Sequence, residues 1–342
     1  MLKKHFVVIA ASGLIIGNLV GVGILALPIS LGLAGVFPAL VSVIVYSLLM
    51  LFTAEIISRE AGETKCGTFD YPSLYEKYLG KAGKWIAVVT NTIILYGLLI
   101  AYISCATEIV VDACGFSGNP VYVILAISLV LIYMTLADLE IINKYNTFLI
   151  MGLFAVFVGL IVLSMPHIVP ERLAVTHWSY FGLTIPIVVT AAYFHNIIPT
   201  LCCNLKWNVK LLRRAIIAGT IIATVMNCFW TICGIGCLPR LGENGLLQAY
   251  ISNLPATVPM RSVLHSGAFT TFGVIFSVVA IATSFLANGL GLMNFVKDIL
   301  YNEVLMPEEI DQVRIIKKLA IMERQIYDSL HSGEKEYYKP AS

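Results

Sequence analysis

Eight apolar stretches, each about as long as a bilayer is thick, constrain this chain more than anything else in its sequence. A helix needs about 20 apolar residues to cross the hydrocarbon core. The candidate spans are 6–33, 36–58, 85–112, 120–137, 146–165, 183–201, 213–238 and 267–297. Only 12% of the residues are charged, against about 25% in an average globular chain. So few charges cannot clothe a soluble surface, and the pattern predicts an all-α, multi-pass integral membrane protein. A net charge of +2 gives no footprint for nucleic acid. The apolar run after Lys3, Lys4 and His5 continues to Leu33. A signal-peptide core is shorter, about 7–15 residues, so this run reads as an uncleaved first span.

Lysine and arginine order the spans. Nineteen of the 22 lie at the N-terminus, after spans 2, 4 and 6, or after span 8; only Arg172, Arg240 and Arg261 fall on the other side. The positive-inside rule makes the basic side cytoplasmic and places both termini there. Residues 1–300 then form one transmembrane domain in the lipid bilayer, and 301–342 form a polar cytoplasmic tail. In that tail Ile315, Leu319, Met322, Ile326 and Leu330 recur at the spacing of an amphipathic helix; a plain solvated tail is the other reading. The long connection 59–84 is expected to hold a short interfacial helix. The eight cysteines fall mostly within spans, where Cys packs as a small hydrophobe. No two pairs have zinc-ligand spacing, so no metal site is expected.

Two spans carry helix breakers. Residues 17–28 read GNLVGVGILALP, and 185–201 read IPIVVTAAYFHNIIPTL. Gly17 and Gly21 have the spacing of a helix-contact face. Alternatively the glycines unwind span 1, which lipid permits only where protein or water surrounds the freed backbone. In span 6, Pro186 and Pro199 flank a polar knot, His195-Asn196. Interrupted helices at matching positions of two repeats point to a transporter's midplane binding site. Five spans per repeat is an odd number, so the second repeat would be inverted. Half-helix N-termini can then hold a carboxylate, and unwound carbonyls an ammonium or a cation.

The stretches GNLVGVGILALP, AAYFHNIIPTL and IATSFLANGLGLMNFVKDIL together resemble the tryptophan/tyrosine permease family. This is the hydroxy and aromatic amino-acid permease branch of the amino acid–polyamine–cation superfamily. The more specific parts are Phe194 to Leu201 and Thr283 to Leu292, and the likeness runs from about residue 5 to about residue 300. The resemblance implies the 5+5 inverted-repeat (LeuT-like) transporter fold. It also implies proton-coupled import of an aromatic amino acid across the cell inner membrane, with tyrosine first and tryptophan next. Family members usually have eleven spans, whereas this chain turns polar after Ile299, leaving three of five helices in the second repeat. The alternative function is therefore a truncated, non-transporting or partner-dependent permease remnant. A protein partner is left open: the tail helix could pair with one or lie on the membrane surface.

Gly17, Asn18, Gly21 and Gly23 are the candidate carboxylate cradle of span 1, with simple helix packing as the alternative. Asn18 would bind substrate or stabilise the break. Tyr193, Phe194, His195 and Asn196 would form the span 6 wall, where aromatics can stack on an aromatic ligand; lipid-facing or core packing is the other reading. Tyr102 and Ser284 would bound the pocket if spans 3 and 8 flank 1 and 6, as the resemblance implies. His195, Glu55 and Glu108 are the proton-coupling candidates. For His195 the alternative is a neutral cross-helix bond, and for Glu55 contact with backbone N–H groups freed in span 1. No cofactor is expected beyond the coupling ion, a proton in preference to sodium. Enzyme signatures such as H-E-x-x-H or G-x-S-x-G do not occur, and neither does a TVGYG-type channel filter.

Overall fold

The computed structural model describes residues 2–64, 71–136 and 139–303. Among them the chain is helical, with one isolated β-bridge between Gly35 and Thr176. In chain order the helices are α1 (Leu2–Leu19), α2 (Val22–Gly32), α3 (Val36–Thr64), α4 (Tyr71–Cys114), α5 (Pro120–Leu136) and α6 (Leu139–Ser164). There follow α7 (Pro170–Ala174), α8 (Phe181–Ala191), α9 (Ile198–Asn204), α10 (Val209–Cys237), α11 (Leu246–Ile251), α12 (Thr257–Leu264) and α13 (Gly267–Glu303). By contact the chain divides into Met1–Asn294 and Phe295–Ser342; of the second unit only the run of α13 to Glu303 is described. The expected tail helix, Ile315 to Leu330, lies outside the described residues.

Each of the eight apolar stretches coincides with a helix or a broken helix. Six segments are long and apolar enough to cross a membrane, and the bent pair Val7–Leu19 and Gly23–Gly32 makes a seventh. Pro120–Leu136 is equally apolar but shorter. The chain is thus a multi-pass membrane protein. Burial separates the helices into two groups. The α3, α4 and α6 spans bury only 22–28% of their apolar windows, whereas those from Trp178–Cys202, α10 and α13 bury 50–56%. Side chains such as Phe52, Ile93, Leu129, Tyr133 and Phe148 stand exposed on the outer faces. In water such a surface would be an aggregation site; against acyl chains it needs no cover.

The central bundle consists of α1, α2, α8, α10 and α13, and its core includes Ile15, Ile24, Leu25, Val188, Trp230 and Phe276. Trp230 and Phe276 pack at 6.0 Å between ring centroids, and Phe157 of α6 joins them. Helix α2 lies directly on α8: a Cβ on Gly23 would come within 2.7 Å of Ala191 Cβ and 2.9 Å of its Cα. The 59–84 connection does hold a short helical piece. It begins α4 at Tyr71 and ends at Gly80, whose φ of +67° breaks the helix and suits a residue without a Cβ. Ion pairs hold the piece, Lys77 to Glu60 and Lys84 to Glu76, both at 3.0 Å.

The ends of the bundle opposite the basic side carry elements that apolar patterning did not foretell: α7, α11, α12 and two 3-10 turns. They are tied down by backbone. His177 N donates to Ala34 O at 2.8 Å, Ala256 N to Leu25 O at 2.8 Å, and Val169 N to Gly236 O at 3.1 Å. Arg172 donates to the Cys237 carbonyl at the end of α10, capping that helix. Arg240 contacts His177 and lies over the Tyr180 ring.

Gly23→Leu is expected to lower the melting temperature of the purified protein through overpacking of α2 on α8, by about 1–3 kcal/mol of stability. Gly97→Leu, where an added Cβ meets nothing within 4 Å beyond its own stretch of helix backbone, should leave it unchanged. Equal melting of the two variants would refute the α2–α8 contact.

Candidate functional site

Both expected helix breaks are present. α1 and α2 meet at a bend of 44°, with Gly21 at the N-cap of α2 and no side-chain cap there. α8 ends at Ala191, and the chain passes through Phe194 and a 3-10 turn, His195–Ile197, before α9 begins. A break in hydrocarbon needs new partners for its freed backbone, and at the span 1 break α13 supplies them. Ser284 Oγ donates to the Gly17 carbonyl at 2.6 Å. Thr283 Oγ1 reaches the same carbonyl at 3.4 Å while also bonding its own helix. Glycine is required at position 21 by this approach, because a Cβ there would collide with Ser284.

Around that contact three carboxamides close a ring. Asn288 Nδ2 donates to Asn18 Oδ1 at 2.5 Å, Asn18 Nδ2 to Asn196 Oδ1 at 3.5 Å, and Asn196 Nδ2 to Asn288 Oδ1 at 2.8 Å. Asn288 Nδ2 also lies 3.0 Å from Tyr102 Oη and 2.9 Å from its own helix carbonyl at Ser284. Asn18 Nδ2 additionally approaches the Tyr193 carbonyl at 3.4 Å. All three asparagines are buried, Asn288 completely. The ring joins the break in span 1, the break in span 6 and the unbroken α13. Each buried amide offers two donor hydrogens and one carbonyl acceptor, and a head-to-tail ring uses every carboxamide at both ends.

The remaining predicted residues lie on other surfaces. Tyr193 and His195 stack, with ring centroids 5.6 Å apart and planes at 19°. They form one wall of a cavity of about 400 Å3, bounded also by Thr53 of α3 and by Tyr71, Tyr75 and Asn91 of α4. Tyr71 Oη donates to the His195 carbonyl at 2.6 Å, and Tyr193 Oη to Asn91 Oδ1 at 3.4 Å. His195 Nε2 and Thr53 Oγ1 are 2.8 Å apart. Thr53 Oγ1 also lies 3.1 Å from the Leu49 and Met50 carbonyls, and His195 Nδ1 has no hydrogen-bond partner among the described residues. Phe194 is fully buried in the core. Gly23 packs against Ala191 rather than opening to a cavity.

The two candidate carboxylates are far apart in role. Glu55 does not reach the freed N–H groups of span 1; it forms a two-pronged pair with Arg213 of α10, at 3.0 and 3.2 Å. Glu108 lines cavities at the end opposite the basic side. Among the described residues no group of three or more His, Cys, Asp or Glu could hold a metal ion.

Two interrupted helices meeting at a buried polar centre invite comparison with known proteins. The model of the tryptophan/tyrosine permease family matches residues 4–306. The chain belongs to the tryptophan/tyrosine permease family. Tyrosine-specific transport system 1 of Haemophilus influenzae is 28% identical over 292 residues, covering 84% of this chain and 72% of that protein. The low affinity tryptophan permease of Escherichia coli K12 is 24% identical over 299 residues, 83% of this chain and 71% of that one. A tryptophan-specific transport protein of Pseudomonas aeruginosa is 25% identical over 311 residues, with coverages of 85% and 72%.

Within this permease the structure gathers Gly17, Asn18, Gly21, Asn196, Tyr102 and Ser284 into one cluster. It places Tyr193 and His195 on a neighbouring cavity. Sequence reading missed Asn288, Thr53, Tyr71 and Asn91. Asn288 carried a usable signal: an amide four residues after Ser284 in a span, on the same helical face, is an expensive intramembrane group that needs a partner. Asn288→Ala removes one ring member and leaves the other amides partly unsatisfied, which should cost about 1–3 kcal/mol. Asn18→Ala combined with Asn288→Ala should cost less than the sum of the single changes. Strict additivity in thermal unfolding would show that the ring is not coupled.

Proposed function

We propose that this chain is a secondary active importer of an aromatic amino acid, working by proton symport and alternating access, with tyrosine as first substrate and tryptophan next. The observation that carries this reading is the meeting of two broken spans at one buried polar centre, in a chain of a permease family. Names of relatives that are tyrosine- and tryptophan-specific support the substrate class. We further propose that spans 1–5 and 6–8 belong to inverted repeats, and that the basic side is the cytoplasmic face of the inner membrane with both termini there. The run of lysine and arginine supports that orientation.

In this mechanism the substrate carboxylate takes the free N–H groups at the start of α2, where the helix dipole favours an anion. The ammonium takes the Gly17 carbonyl in place of the Ser284 hydroxyl that donates to it here. Asn18, Asn196 and Tyr102 exchange ring bonds for bonds to the substrate as the site opens. The aromatic side chain turns toward the cavity walled by Tyr193 and His195, where offset stacking is available. His195 carries the coupling proton on Nδ1. When substrate leaves, Ser284 returns to the Gly17 carbonyl and the carboxamides to one another, so that part of the break is not left bare in lipid.

Labelled tyrosine uptake in cells lacking their own aromatic permeases tests the reading. Saturable uptake is expected, competed by tryptophan, abolished by a protonophore and indifferent to replacing sodium with choline. His195→Ala should keep exchange of internal for external tyrosine while losing accumulation by about tenfold or more. No uptake from protein shown to be inserted and folded would sink the transporter assignment.

A further inference from the structure

Cations crowd one end of the bundle, where α3 meets the start of α10. Lys206 precedes α10, and Lys210 and Arg214 stand in its first two turns; all three are exposed. On α3, Glu55 pairs with Arg213, and Gly62 packs against Val209. Arg59 lies four residues after the first of these contacts and three before the second. It therefore occupies the face of α3 that meets α10, and it too is exposed. Among the described residues Arg59, Lys206, Lys210 and Arg214 form no ion pair. Lys210 and Arg214 are four apart on one helical face, where like charges repel. The first turn of α10 holds no acid, and cations there also oppose the helix dipole. The acid of α3 on the facing side, Glu55, is already taken by Arg213, and Glu63 lies about a quarter turn round the helix from that face. A second feature continues from these charges. Ile221 and Val225 follow Arg214 by seven and eleven residues, on the same face of α10, and are 53% and 48% exposed. The half-buried Trp207 sits next to Lys206 at the start of this stripe, where interfacial aromatics are favoured.

We propose that this face holds an anionic phospholipid, its headgroup among Arg59, Lys206, Lys210 and Arg214 and an acyl chain along Ile221 and Val225. A stripe that is basic at its end and apolar along its length matches the two parts of such a lipid. A free phosphate ion would gain nothing from the apolar part, and an acidic soluble partner could not follow the stripe into hydrocarbon. Clustered Lys and Arg at a membrane surface attract anionic headgroups, and the planar guanidinium of Arg214 can take a phosphate through two parallel bonds. The binding groups are side chains rather than the helix end, where Asn208 already accepts from Leu211 N at 3.2 Å. A bound headgroup neutralises charges that otherwise repel one another where α3 and α10 meet. It thereby reinforces a junction that the Glu55–Arg213 pair holds from the protein side. The proposal needs only the membrane class of the chain and is independent of the transport reading.

Mass spectrometry of the intact full chain, released from micelles holding equal amounts of phosphatidylglycerol and phosphatidylcholine, tests the proposal. Phosphatidylglycerol is expected to be retained in preference, by about tenfold or more. Lys210→Gln and Arg214→Gln, both at exposed positions that leave the Glu55–Arg213 pair in place, should each lower that preference about fivefold. Lys81→Gln removes an exposed cation from α4, which gives no side chain to the patch, and should leave the preference unchanged. Neither inorganic phosphate nor glycerophosphoglycerol, the headgroup without its acyl chains, should displace the lipid. Equal retention of the two lipids overturns the proposal, as does a preference that survives both α10 substitutions. An equal loss in Lys81→Gln overturns it too, because the attraction would then belong to the whole basic side and not to this face. Displacement by phosphate or by the bare headgroup would make the cluster a free-anion site and overturn the lipid assignment.

Discussion

Hydrocarbon offers no hydrogen bonds, and the rest of this structure follows from that constraint. A continuous helix meets it alone, but spans 1 and 6 are not continuous. Their freed carbonyls and amides must be answered from elsewhere in the protein. At the span 1 break the answer comes from α13, whose Thr283 and Ser284 hydroxyls reach the Gly17 carbonyl; at the span 6 break Tyr71 of α4 answers the His195 carbonyl and Asn18 of α1 approaches that of Tyr193. A broken span is stable here only because a third, unbroken span is packed against it.

This requirement also explains the unequal burial of the helices. Those that carry or answer the breaks are packed on most sides, and the α3–α6 group surrounds them with one face in lipid. Close approach of α2 to α8 and of α1 to α13 needs small residues at Gly23 and Gly21. Packing without a hydrophobic driving force depends on such close contact and on interhelical hydrogen bonds. The glycines that looked like helix breakers are thus also contact points; at position 21 the two readings are one and the same.

The polar centre has a division of labour. The carboxamide ring and the Ser284 hydroxyl hold the breaks in place, while Tyr193 and His195 face a cavity from the far side of the same segment. Two neighbouring residues, His195 and Asn196, therefore face different partners, because a 3-10 turn rotates successive side chains by about 120°. Of the two candidate carboxylates, Glu55 is engaged by Arg213, and Glu108 lines a largely apolar cavity at the opposite end.

The sequence by itself carried the all-helical membrane class and the places where two spans are interrupted, because hydropathy, glycine and proline act locally. It also carried the family resemblance and most members of the polar cluster. Tertiary structure alone decided which partners answer the breaks. The bond between Asn18 and Asn288 spans 270 residues, and no local pattern encodes which of several intramembrane amides a given one will meet. The same holds for the Glu55–Arg213 pair across 158 residues. It holds as well for the short helix α12, whose N-cap residue Ala256 is bonded through its backbone to Leu25 of α2.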